Sequence, residues 1–186
     1  TLARDERLQF VPSFHPWLVR GVATACFELF QAQPQLDVLY LPIGLGSGVC
    51  GALRARDALG VSTRIVGVVS ERAAGYALSF AAGRVVATES ADTFADGIAV
   101  RVPNAEALAE IRAGVERVVQ VTEAGIRDAM RALFSDTHNL AEGAGAAGLA
   151  AALQERESLA GKRVAVIVTG GNIDRETYAR VLADKE

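Results

Sequence analysis

Two glycine-rich stretches, each following an apolar run, carry the residue types most able to do chemistry. The first is LYLPIGLGSGVCG at residues 39–51, and the second is VAVIVTGGNID at residues 164–174. Gly44, Gly46 and Gly48 fall just past the end of the first run. Glycines let a backbone come close to an anion and turn its N–H groups toward it, and a following helix adds the positive end of its dipole. In the second stretch Thr169 ends the run with a hydroxyl, and Gly170 and Gly171 leave room for a flat ring. Three readings are open. The first loop can be a tight strand-to-helix turn with no ligand. It can be a dinucleotide site for NAD, because GSGVCG at 46–51 matches GxGxxG and Glu71 closes the next apolar run where a ribose-binding acid would sit. Against that, the run before the loop is not the start of the chain, and Pro42 interrupts its end. Or the two stretches form one site, with a phosphate at 44–48 and a polar ring atom at Thr169.

The third reading requires both stretches to lie at the same end of one sheet. Nearly continuous apolar runs at 37–43, 63–69 and 163–169 predict parallel strands buried on both faces, with a shorter strand at 117–121 and another at 9–14. Helical spacing predicts helices over 16–33, opening on Pro16, and over 47–60, ending on Gly60. A helix over 122–137 has Thr122 as N-cap and Glu123 in a first turn favoured by the dipole. A helix over 143–159 is so poor in bulk that it must pack very close to the sheet or to another helix, and the tail from 174 is amphipathic. Residues 71–83 read as a short helix and residues 89–106 as a long excursion, a kind of loop that is more often functional than decorative. The alternation predicts an α/β fold: a doubly wound, mostly parallel sheet with helices on both faces, whose ligands bind at the carboxyl ends of the strands.

The totals narrow the classes. A chain of 186 residues suits one domain or a large part of a bigger one, and 51% hydrophobic residues with mean hydropathy +0.24 can build a substantial core. A net charge of −3 without a Lys/Arg run argues against nucleic acid. The apolar runs are strand-sized, too short to span a membrane, and the charged start TLARDERLQF has no signal-peptide core. Cys26 and Cys50 lack metal-ligand spacing and read as reduced packing residues. A soluble cytoplasmic protein with a small-molecule partner is expected.

In order and rough spacing, LPIGLGSGVCG, TFADGIAV, AEGAGAAGLAAAL and VIVTGGNID resemble the serine/threonine dehydratases, which are pyridoxal-phosphate (PLP) enzymes of the tryptophan-synthase-β fold type, fold type II. FVPSFHPWLVRGVATACFELF is similar to the family segment before its glycine loop, so the resemblance covers essentially the whole chain and displaces the dinucleotide reading. It implies that Gly44, Leu45, Gly46 and Ser47 wrap the PLP phosphate, with Gly48 standing where the family has a leucine after its four glycines. It implies that Thr169 meets the pyridine nitrogen. A neutral hydroxyl does not hold that nitrogen protonated as a carboxylate would, and the weaker electron sink suits β-elimination. Gly97 would approach the ring or substrate, while Asp96 reads equally as a turn former or cap. Glu142 matches a family glutamate near the active site, and reads equally as a carboxylate at a helix N-terminus; Gly143 replaces the family's proline. Glu71 matches the first carboxylate of a divalent-cation site in some relatives, but Ala77 occupies the second position, so no metal is expected. His15 and His138 read as packing or loop residues.

The resemblance also implies a Schiff-base lysine, in a Ser-x-Lys context upstream of the glycine loop, which moves the α-proton. Of the 19 basic residues only Lys162 and Lys185 are lysines, and neither is placed to serve. The expectation is therefore the C-terminal part of a dehydratase-like large domain, with the upstream small domain and lysine segment outside residues 1–186 and no catalytic residue of its own. The parent reaction would convert L-threonine, L-serine or a related β-hydroxy amino acid to a 2-oxo acid and ammonia. Alternatives are racemisation on the same scaffold and a non-catalytic ligand-binding relative. The chain is expected to be inactive alone, to expose apolar surface and to form homo-oligomers.

Overall fold

In the computed structural model, which describes residues 2–183, the chain runs α1 (Leu2–Asp5), α2 (Pro16–Ala32), β1 (Val38–Pro42), α3 (Ser47–Leu59), β2 (Arg64–Ser70), α4 (Gly75–Ala82), α5 (Ala105–Gly114), β3 (Arg117–Val121), α6 (Glu123–Thr137), α7 (Gly143–Gln154), β4 (Val164–Val166) and α8 (Arg175–Leu182). Three short 3-10 turns lie at Glu71–Ala73, Asp96–Ile98 and Arg156–Leu159. All pairings are parallel, in the order β3-β2-β1-β4.

The strand sequences are apolar on both sides because both sides are covered. Leu39, Leu41 and Ile65 point into a core with Val49 and Leu53 of α3 and Ile111 of α5. Val38, Tyr40, Val66 and Val68 point into a second core with Ile126 and Met130 of α6 and Ala147 of α7. The doubly wound parallel sheet is thus the observed architecture. Starting at β1, the chain steps through α3 to β2 and on to β3, and then returns to place β4 on the other side of β1. The segment after β1 leaves toward one face and the segment after β4 toward the other, which opens a crevice between these two strand ends.

The strand expected over 163–169 pairs only at Val164–Val166, and Pro42 supplies the reason. The N–H of Val38 donates toward Arg163 and that of Ile43 toward Val68, so the even-numbered positions of β1 face β4. Pro42 has no N–H to continue that ladder, and pairing stops after Ile167 donates to the Tyr40 carbonyl at 3.3 Å. Residues beyond it are released toward the crevice. The strand expected at 9–14 does not form: the segment is irregular, with Phe10 and Val11 exposed, because it runs outside the sheet and finds no strand to pair with. The segment expected as one helix over 143–159 is α7 followed by a 3-10 turn. Its small residues do permit close packing: a Cβ on Gly148 would stand 3.3 Å from the Tyr40 carbonyl oxygen. α5, capped by the Asn104 side chain on Ala107 N–H at 2.9 Å, was not anticipated, because its alanines blur the apolar stripe. Trp17, Val22, Phe27 and Val168 are apolar and exposed, as are Phe10 and Val11.

Arg117 at the start of β3 and Tyr40 in the middle of β1 converge on Glu155, which ends α7. Partial burial alone would push the Glu155 carboxyl up, but hydrogen bonds from Arg117 and Tyr40, with the Arg117 charge, hold it below the ordinary range. Burial and Glu155 together push Tyr40 up to about 12, so its hydroxyl stays a donor. A carboxyl whose pKa is lower folded than unfolded adds stability above its unfolded value and loses it as pH falls through the folded one. Glu155→Gln is expected to cost about 1–3 kcal/mol at neutral pH. That cost should shrink on acidification, and urea melts of both proteins from neutral to acid pH measure it.

Candidate functional site

β1 ends where Ile43 N–H donates to Val68 O at 2.8 Å, and residues 44–46 turn the chain into α3. The N-cap of α3 is Gly46 at φ +98°, a left-handed conformation. Gly44 permits a close backbone approach: a Cβ there would stand 2.6 Å from the Gly97 carbonyl oxygen. α3 has no side-chain cap. The N–H groups of Gly44, Leu45, Gly46, Ser47 and Gly48 meet no acceptor among the described residues, whereas the Leu45 carbonyl accepts from the Tyr76 hydroxyl at 2.8 Å and the Gly46 carbonyl from Cys50 N–H at 2.9 Å. The Leu45 and Gly46 carbonyls are thus held by the protein, while the five N–H groups are left without an acceptor among the described residues.

Across the crevice, the chain leaving β4 reaches Thr169 and the Gly-Gly turn. Glu142 does not cap α7 with its side chain. Its N–H donates to Gly170 O at 3.1 Å, and its Oε2 accepts from Asn172 N–H at 2.9 Å. Glu142 therefore fixes the turn after Thr169 to the start of α7. Gly97 arrives from the long excursion, in a 3-10 turn that Asp96 opens, and the Asp96 carboxylate accepts its N–H at 2.8 Å.

Gly44, Leu45, Gly46, Ser47, Gly48, Gly97, Glu142 and Thr169 all line one cleft of about 700 Å³. The eight candidates drawn from the sequence are thus brought together. Ser13 and Thr24, which carried no sequence signal, line it from the side of α2, together with Cys26, which the sequence marks as a reduced packing residue and which is buried. Burial pushes the Cys26 thiol up to about 11, so it presents a neutral group. The hydroxyls of Ser47 and Thr169 have no partner among the described residues, and no Lys, Arg or His among them lines the cleft.

The remaining candidates lie elsewhere. Glu71 is exposed at the end of β2, beside a separate recess, and Ala77 is buried in α4. His15 is the N-cap of α2, its Nδ1 accepting from Trp17 N–H at 3.2 Å, and His138 ends α6 in a left-handed conformation. Lys162 is exposed before β4, at the opposite sheet end from the cleft, and Lys185 lies outside the described residues. Two residues that shape the cleft were missed: Tyr76, hidden in an apolar run, and Glu123. Glu123 does sit in the first turn of α6, but it is buried and accepts from Ser70, Thr93 and Phe94 rather than facing solvent.

Free backbone donors at the start of a thirteen-residue helix, without a side-chain cation, suit a phosphate monoester carried on an uncharged body. The sequence profile described as "pyridoxal-phosphate dependent enzyme" matches residues 1–170. The chain belongs to the pyridoxal-phosphate-dependent enzyme family. It is 33% identical over 174 residues to an L-threonine ammonia-lyase of Thermotoga maritima, covering 93% of this chain and 43% of that protein. It is 31% identical over 186 residues to an L-threo-3-hydroxyaspartate ammonia-lyase of Saccharomyces cerevisiae, covering 100% of this chain and 57% of that protein. Its fold superposes on maize serine racemase with TM-score 0.88 at 26% identity, over 98% of this chain and 57% of that one. The chain spans about half the length of the curated relatives it matches. Membership in a PLP family replaces the dinucleotide reading of GSGVCG. The donor set of the cleft fits the family's cofactor, since residues 44–48, with N–H groups unpaired among the described residues, and Thr169, with an unpartnered hydroxyl, line the same cleft.

Proposed function

We propose that this chain provides the phosphate and ring ends of a PLP site in an ammonia-lyase acting on a small β-hydroxy amino acid of the threonine, serine or 3-hydroxyaspartate type. The observation that carries the reading is that five consecutive residues, Gly44 to Gly48, whose N–H groups meet no acceptor among the described residues, line the same cleft as Thr169. Gly44, Leu45, Gly46, Ser47 and Gly48 hold the phosphate, with Ser47 adding its hydroxyl. Thr169 hydrogen-bonds the ring nitrogen, and Gly97 and Glu142 border the ring. When bound, PLP supplies the electron sink that permits loss of the Cα proton. Thr169 is neutral and leaves that sink weak, which favours expulsion of the β-hydroxyl over prolonged storage of charge at Cα. The base that takes the proton is a lysine of the whole protein, outside these 186 residues, of which this chain is the C-terminal part. The working unit is a cytoplasmic homo-oligomer.

Purified as it stands, the chain is expected to bind PLP weakly and to form no 2-oxo acid from L-threonine, L-serine or L-threo-3-hydroxyaspartate. Turnover by the 186-residue chain alone would refute the division of labour, and turnover by the whole protein is expected. The likeness to maize serine racemase favours a second reading, racemisation. Chiral analysis of the products separates the two, because racemisation gives the D-amino acid without ammonia. A whole protein with no lysine facing the cleft would instead be a ligand-binding relative.

A further inference from the structure

Gly46 is a buried residue whose N–H has no acceptor among the described residues, an arrangement proteins avoid unless a ligand or water completes it. The described chain has no cis peptide bonds, so the Leu45 carbonyl and the Gly46 N–H, which share one planar peptide group, point in opposite directions. The Leu45 carbonyl is held by the Tyr76 hydroxyl at 2.8 Å, and Tyr76 lies in α4, buried and outside the cleft lining. The same hydroxyl accepts Asn104 N–H at 3.1 Å, and the Asn104 side chain caps α5, so the anchor is fixed from two elements. Burial raises the Tyr76 hydroxyl to about 12 and keeps it a donor.

We propose that Tyr76 is a positioning residue: by pulling the Leu45 carbonyl away from the cleft, it aims the Gly46 N–H at the phosphate of the bound cofactor. The proposal rests on the PLP-cradle reading above and adds a residue that touches neither cofactor nor substrate. A purely structural Tyr76 would weaken every ligand alike. An aiming Tyr76 weakens only ligands that carry the phosphate.

The test compares PLP with pyridoxal, which lacks the phosphate, as ligands of the intact protein and of Tyr76→Phe. The phenylalanine keeps the buried ring and removes only the hydroxyl. PLP affinity is expected to fall about tenfold, the scale of one well-aligned hydrogen bond, with pyridoxal affinity unchanged. Both ligands are measured on one preparation, so a partly unfolded fraction cancels in their ratio. Equal loss for both ligands, or loss for neither, overturns the role of Tyr76 while leaving the cradle intact. A wild-type protein that does not prefer PLP over pyridoxal refutes the cradle, and the inference with it. A wild-type measurement covers the case in which the variant does not fold: inorganic phosphate is expected to shift the Gly46 amide proton resonance downfield, and an unmoved resonance overturns the proposal.

Discussion

Gly46→Ala is expected to destabilise the protein by about 2–5 kcal/mol and to abolish measurable PLP binding, whereas Gly48→Ala, two residues away in the same loop, is expected to leave stability within about 1 kcal/mol of wild type. Both replacements add one methyl group. At Gly46 the backbone is at φ +98°, where an L side chain is strained whatever the space around it. The added Cβ would also stand 2.8 Å from the Ala107 Cβ and 3.3 Å from both the Ile111 Cδ1 and the Tyr76 hydroxyl oxygen. Relief requires either moving α5 outward or turning the Leu45–Gly46 peptide, and the second route takes an N–H away from the cleft. At Gly48 a Cβ would meet nothing within 4 Å, and alanine is the better helix former in the first turn of α3. Urea melts of the two variants, with PLP titrations followed by its absorbance, measure both effects. Equal stability of the two alanine variants would show that the left-handed Gly46 is not what holds the loop.

The pair also shows what the sequence could and could not reveal. By residue type alone Gly44, Gly46 and Gly48 have the same standing, as glycines just past the end of an apolar run. In the structure they differ: Gly44 admits the Gly97 carbonyl, Gly46 needs its left-handed φ, and Gly48 faces open space. The meeting of residues 44–48 with Thr169 in one cleft was legible because strand ends of a parallel sheet share a rim, and apolar runs mark those strands plainly; Gly97 and Glu142, which follow no strand, were marked only by the family resemblance. What supports the rim was not legible. Tyr76 lies in GYALSFAA, an apolar run whose mean character hides one hydroxyl aimed 31 residues back at Leu45. The irregular segment before α5 has no periodicity to read, so nothing in its sequence says where its side chains are anchored. The overlong reading of β4 has a related cause: the strand's apolar run continues to Val168, but its length is set by Pro42 on the neighbouring strand. Long-range partners decide these features, and a local pattern carries no information about them.

The anchor of that irregular segment leads to the second large effect. Glu123→Ala is expected to cost about 3–5 kcal/mol and to loosen the cleft wall that carries Gly97. Glu123 begins α6, is 6% exposed and acts wholly as an acceptor. Its Oε1 receives the Ser70 hydroxyl at 2.6 Å and the Thr93 hydroxyl at 2.7 Å, and its Oε2 receives Phe94 N–H at 3.1 Å. One side chain thereby ties the end of β2 and the middle of the excursion to the start of α6. Alanine would leave the Phe94 N–H without its acceptor and two hydroxyls to reorganise, and each buried donor left unmade costs about 1–3 kcal/mol. The disturbance then travels a short covalent distance. The Thr93 hydroxyl also accepts Ala95 N–H at 3.2 Å, and the Phe94 ring packs under Arg127, whose guanidinium carbon lies 4.6 Å from the ring centroid. Two residues further on is Gly97, whose carbonyl oxygen closes against Gly44. Glu123→Gln keeps the shape but replaces one accepting oxygen by a donor, so it should satisfy either the hydroxyl pair or Phe94 and cost about 1–3 kcal/mol. The two variants therefore form a series, readable in urea melts. Amide hydrogen exchange adds the spatial test: faster exchange is expected at Phe94 and through residues 95–98, with β1 and α3 unchanged. Uniform acceleration across the sheet would mean that Glu123 stabilises the whole fold without specifically holding the wall of the cleft.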